Sequence, residues 1–165
     1  MKHALIGAAL AAFVPLAPLH AQAPAEINEP DATIVAIYHA EGIQLYECVA
    51  GKDGRQLWTF REPVATLVSH QNLTVGHHTA GPRWELTDGS TIGGRPVARV
   101  PGKTSDDIPW LKLEAINHRG DGKLEHVDII QRINTKGGIA AGSCDDPGQF
   151  RAVPYSADYT FLRKN

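Results

Sequence analysis

The sequence predicts an all-β fold: a compact antiparallel sandwich or closed barrel of about eight or nine short strands, with little helix. Three observations predict it. The 165 residues include 16 Gly and 11 Pro but a single Met, a balance that favours turns over long helices. Asp-Gly occurs three times, at Asp53-Gly54, Asp88-Gly89 and Asp121-Gly122, each time between segments of alternating polarity. Such a pair suits a hairpin turn, whose two central residues need positive φ. Apolar residues also recur with period two, the spacing that sets one face of a strand on a core. At this length one domain is expected.

The elements follow in order. Lys2, the apolar run Ala4–Leu19 and the small-x-small end Ala21-Gln22-Ala23 predict a signal peptide over residues 1–23. The run is too short for a membrane span of about 20 residues. Residues 24–32, with Pro24, Glu26, Glu29 and Pro30, are expected to form a flexible leader to a single β domain over 33–165. Thr33–His39 is rich in β-branched and apolar residues and predicts a strand. In Ile43–Ala50, Leu45, Glu47 and Val49 alternate with Tyr46, Cys48 and Ala50. Arg55–Phe60 follows the first Asp-Gly, and Ala65–His70 is a further strand. Arg83–Thr87 and Ser90–Ile92 flank the second Asp-Gly; Leu111–His118 and Leu124–Ile133 flank the third. In Pro154–Leu162 one face carries Tyr155, Ala157, Tyr159 and Phe161. Ser105–Leu113 has the best helix signal, with Asp106 or Asp107 to cap it and Pro109 early, but the alternation of Leu111, Leu113 and Ala115 favours a strand.

Charge and cysteines narrow the functional classes. Sixteen basic and 18 acidic residues give a net charge of -2, which argues against a nucleic-acid partner. There is no polybasic patch and no acidic tail. Export, secreted or periplasmic, places the two cysteines, Cys48 and Cys144, in an oxidising compartment, where they are expected to pair. Without CxxC spacing a metal pair is disfavoured. No membrane span is expected after signal cleavage, and nothing in the sequence sets an oligomeric state.

The candidate ligand-binding residues are His78, Trp84, Glu85, Arg132 and Asn134. Over His126–Asn134, period two puts Val127, Ile129, Gln131 and Ile133 on one face and His126, Asp128, Ile130, Arg132 and Asn134 on the other. That second face is either solvated surface or a pocket wall. In a wall, Arg132 offers a fork of donors suited to carboxylate or phosphate, and Asn134 offers a donor and an acceptor. Arg132 paired with Glu85 or Asp128 is the structural alternative. His78 beside Trp84 and Glu85 forms a second binding wall, with the indole as an aromatic platform; alternatively Trp84 is core and Glu85 its exposed neighbour. Trp58 and Trp110 read as core. His77 and His78 are adjacent, so in a strand they face opposite ways and do not share a metal. No HxH or HExxH spacing occurs, and no metal or cofactor is expected. A G-x-S-x-G elbow, a phosphate-cradling loop and a dinucleotide fingerprint are all missing. Glu47, Glu85, Asp88, Glu114 and Asp128 are the carboxylates available for glycoside chemistry, and their spacing selects no pair.

Several segments occur together in one order: Ile43-Gln44-Leu45-Tyr46-Glu47-Cys48; Ala80-Gly81-Pro82-Arg83-Trp84-Glu85 with Asp88-Gly89-Ser90; Ile108-Pro109-Trp110-Leu111; and Ile130-Gln131-Arg132-Ile133-Asn134-Thr135-Lys136-Gly137-Gly138 with Cys144. In combination they resemble the exported bacterial and fungal family catalogued as domain of unknown function 3455. The resemblance spans about Ile34 to Phe161 and implies no established reaction. Members often carry Lys or Arg before the histidine of the Gly-Pro-x-Trp motif and an aromatic after it, where this chain has His77 and Thr79. The malate dehydrogenase label of some fungal relatives does not carry over, because the dinucleotide fingerprint is missing.

The leading expectation is an exported β domain that binds a small polar or carbohydrate-like ligand at the cell envelope. The rivals are a secreted hydrolase using carboxylate or histidine acid–base chemistry and a structural or stress-related envelope protein.

Overall fold

The structure is a computed structural model that describes residues 23–165. The signal peptide read over 1–23 therefore lies, up to residue 22, outside the described residues. The chain forms a closed barrel of eight antiparallel strands in sequence order. They are β1 (Thr33–Ala50), β2 (Gln56–Val68), β3 (Thr74–Thr79), β4 (Arg83–Leu86), β5 (Thr91–Val100), β6 (Trp110–Arg119), β7 (Ile129–Gly137) and β8 (Phe150–Arg163). The described residues contain no helix, so the helical signal of Ser105–Leu113 is overridden by the alternation that builds β6. The first two Asp-Gly pairs turn the β1–β2 and β4–β5 hairpins, with Gly54 at φ 77° and Gly89 at φ 87°. The third lies in the longer β6–β7 loop.

Segments that the sequence divides are continuous in the barrel. Thr33–His39 and Ile43–Ala50 are halves of β1, and most of Arg55–Phe60 joins Ala65–Val68 in β2. Glycine makes the junction. A Cβ at Gly42 would collide with the Val64 carbonyl and Ala65 of the paired strand, so only glycine allows β1 and β2 to approach this closely here. Register shifts at Leu45/Tyr46 and Ile34/Ala36 add the local twist that curls a sheet toward closure.

Because successive strands alternate in direction, the β1–β2, β3–β4, β5–β6 and β7–β8 connections gather at one end. The opposite end is plugged. There the β6–β7 loop folds inward, burying Leu124 and Val127. The Lys123 and Ser90 N–H groups each donate to the Asp88 carboxylate at 2.9 Å, and Leu124 N–H donates to Ser90 Oγ at 3.2 Å. Burial works to raise the Asp88 pKa, but the Ser90 and Lys123 hydrogen bonds prevail and hold it below the ordinary carboxylate value. Tyr38, Trp84, Leu86, Ile92 and Phe161 fill the interior above this plug.

The leader lies against the outer wall. Ile27 is fully buried, its carbonyl accepts from Gln131 Nε2 at 2.6 Å, and Glu29 pairs with Lys112 at 3.2 Å. β7 is consequently buried on both sides, with Ile129 and Gln131 under the leader and Ile130 in the core. The two-faced reading of His126–Asn134 needs correction here. β7 begins only at Ile129, and Val127 packs in the same core as Ile130. The register with β8 shifts after Ile133, where Asn134 takes a left-handed φ of 52°. Period two governs only a continuous strand, and this segment is one only from Ile129 to Ile133.

Cys48 and Cys144, 96 residues apart, form a disulfide. It ties the far end of β1 to the β7–β8 loop, where Cys48 N–H also donates to the Gln149 carbonyl at 2.8 Å. No helix among the described residues is long and apolar enough to cross a membrane.

Candidate functional site

β3 and β4 have six and four residues beside the 18 of β1 and 13 of β2, so the barrel wall dips at Ala80-Gly81-Pro82. A cavity of about 480 Å³ opens at this end. Phe60, Pro63, Pro82 and Pro96 contribute to its rim, and His78, Trp84 and Tyr159 lie deeper. Arg132 enters from β7, and Ile139 from the disulfide-tethered loop.

His78 and Trp84 are cross-strand partners on β3 and β4, which sets their rings side by side. The rings stack at 4.4 Å and 8°, and Tyr159 meets the imidazole edge-on at 5.0 Å. His78 Nδ1–H donates to the Arg83 carbonyl at 2.9 Å, so Nε2 carries the lone pair in a side chain that is almost wholly buried beneath the cavity. Burial pushes the imidazole pKa down to about 4, and the nearby Arg132 charge acts in the same sense against the Arg83 carbonyl. His78 is therefore neutral at pH 7.

Arg132 is half-buried. Its Nε and Nη2 donate to the Pro109 carbonyl at 3.1 and 2.8 Å, which leaves Nη1 outside that bond, on the side of the Tyr159 hydroxyl. That bond also holds the β5–β6 loop against β7, helped by Thr135 Oγ1, which donates to the Ile108 carbonyl at 2.6 Å. Burial raises the pKa of both Tyr155 and Tyr159, with the Arg132 charge opposing it. The two hydroxyls approach one another, and Gln44 and Arg132 approach them, but none of these approaches reaches hydrogen-bond geometry. Gln44 Nε2, Trp84 Nε1 and both hydroxyls are left buried and unpartnered, at a cost of about 1–3 kcal/mol for each such group.

The five sequence-predicted residues separate. His78, Trp84 and Arg132 meet at the cavity. Glu85 is exposed on the outer face, beside Arg83 and Arg119 in a separate cleft. Asn134 also faces outward, donating to Asp158 Oδ2 at 2.8 Å, and Asp158 Oδ1 accepts from His39 at 2.7 Å. Glu85 is excluded because its neighbour Trp84 points inward, and Asn134 because of the register shift after Ile133. Glu85 and Asp128 do not pair with Arg132: Asp128 accepts from Lys164 N–H, and Arg132 bonds to a carbonyl. Nor do the carboxylates converge. Glu47 pairs with Arg61 and Glu114 with Arg95, and Asp88 lies at the plugged end. Trp110 is buried, as expected, and Trp58 is intermediate. The sequence reads Tyr155 and Tyr159 as amphipathic wall residues of the sheet, and it gives no site role to Gln44. The available signal was parity, since Gln44 shares its face of β1 with Tyr46 and Cys48.

Fold and site together define a small, disulfide-tied, eight-stranded β barrel with a polar-floored cavity at one end. The chain belongs to the family described as a protein of unknown function, DUF3455, whose model matches residues 29–163. No curated protein and no solved structure matches the chain.

Proposed function

We propose that this barrel binds a small polar ligand in the open-end cavity and acts at the cell envelope or outside the cell. The observation that carries the reading is a cavity with mostly apolar walls whose lining includes a cation and a neutral imidazole, Arg132 and His78. Arg132 Nη1 supplies N–H donors and His78 Nε2 supplies an acceptor. A pocket of about 300–1,000 Å³ with a few convergent polar groups is the usual form of a small-molecule site. Eight-stranded barrels are just wide enough to enclose one small ligand, which supports the reading by analogy of architecture. The disulfide fits an oxidising compartment. For hydrolysis, His78 Nε2 is a base, but among the described residues no carboxylate lines the cavity to pair with it.

The test is a melting series with sugars, polyols, organic acids and nucleotides. A ligand present at about one hundred times its Kd raises stability by roughly 2.7 kcal/mol. That shift is expected to shrink in His78→Phe and in Arg132→Gln. The absence of any shift across all four classes, with unchanged tryptophan fluorescence, would refute the proposal.

A further inference from the structure

We propose that the ligand is an organic monocarboxylate, with its carboxylate paired with the guanidinium of Arg132 on the edge that Pro109 does not hold. This rests on the cavity being a binding site. The charge distribution inside the barrel makes the argument. Arg132 is half-buried, and its bonds to the Pro109 carbonyl orient the guanidinium without neutralising it. None of the ion pairs among the described residues includes Arg132. The other cation at the cavity, Arg61, is held by Glu47 at 2.7 Å. Among the described residues no aspartate or glutamate lines the wall, and His78 is neutral at pH 7. The site thus presents one uncompensated cation against apolar walls formed by Ile108, Leu111, Leu113 and Ile139.

A charge withdrawn from water without a counterion is costly, and an incoming anion offsets that cost. Guanidinium matches carboxylate in shape as well as sign. A single free edge with no second cation suits one negative charge rather than a phosphate dianion. The apolar walls suit a ligand body that carries no further charge.

The experiment pairs acids with neutral analogues: benzoate with benzamide, cinnamate with cinnamamide and glucuronate with glucose. Each is titrated calorimetrically into the oxidised, folded protein. At least one acid is expected to bind roughly ten- to a hundredfold more tightly than its partner. Arg132→Gln removes that preference and Arg132→Lys retains part of it. Equal affinity within every pair that binds overturns the carboxylate assignment and leaves the cavity reading standing. No binding by any member, together with no shift in the wider melting series, overturns both. Phenyl phosphate binding more tightly than benzoate overturns the single charge. Should Arg132→Gln fail to fold, the matched pairs on the unaltered chain decide the question alone.

Discussion

Burial strips the His78 imidazole of its charge, and the whole molecule registers the effect as pH changes. In the unfolded chain the group titrates near its ordinary value of about 6.5; in the barrel it titrates at about 4. Between these values the unfolded state takes up a proton that the folded state refuses, so acid favours unfolding. The stabilisation is fully present above about pH 6.5 and is lost on acidification toward pH 4, on the order of 3 kcal/mol in all. Asp88 and Asp107, whose carboxyls are held low, lose their contribution only below the ordinary carboxylate range. Urea midpoints measured from pH 7 to pH 4 are expected to fall for the native chain and to flatten in His78→Phe. An equally steep fall in the variant would place the pH sensitivity elsewhere. At this scale the alternative reading of Trp84 as core with Glu85 as its exposed neighbour was legible from alternation, and residue type singled out His78 and Arg132 as candidates. Gln44 shares the parity of Tyr46 and Cys48 but was not singled out, because parity groups residues on a face without saying which face closes inward.

At the scale of the element, two devices shape the cavity. The Cys48–Cys144 bridge fixes the β7–β8 loop, which brings Ile139 to the wall and Gly138, whose carbonyl accepts from Tyr46 OH at 2.7 Å. Closing a loop of this length contributes about 4–5 kcal/mol in the chain-entropy model. Cys48→Ser is therefore expected to lower the denaturation free energy by an amount of that order and to weaken ligand binding as Ile139 is released. Equal melting of the native chain with and without reductant would contradict this. The second device is Gly42. Gly42→Ala forces a methyl group into the Val64 carbonyl, and a loss of about 3 kcal/mol or more is expected in chemical denaturation. The Asp-Gly hairpins could be located from sequence because turn chemistry is local. The fusion of two segments into β1 could not, because Gly42 looks like punctuation until the neighbouring strand shows why a side chain is forbidden there.

For the whole molecule, the question is how a sheet with one plugged end and one open end stays closed. The leader contributes by covering β7 from outside with Ile27. Ile27→Ala is expected to cost about 2–4 kcal/mol, read as a lowered melting temperature. An unchanged melting temperature would show that the segment adds nothing to the fold. Removing Ile27 leaves the cavity lining intact, so ligand affinity should hold while stability falls.

The sequence by itself determined what depends on neighbours along the chain: the all-β class, two of the hairpins, the inward face of β8 and the residues available to form a disulfide. It also put His78 and Trp84 within one short stretch of chain, but their pairing across two strands came from the fold. The tertiary structure alone decided that the sheet closes into a barrel, that the dip above β3 and β4 opens a cavity, and that Arg132 enters it while Glu85 and Asn134 do not. Alternation assigns a side chain to one of two faces, but a face becomes interior or exterior only when the sheet curls and its ends meet. That outcome is set by contacts between residues far apart in sequence.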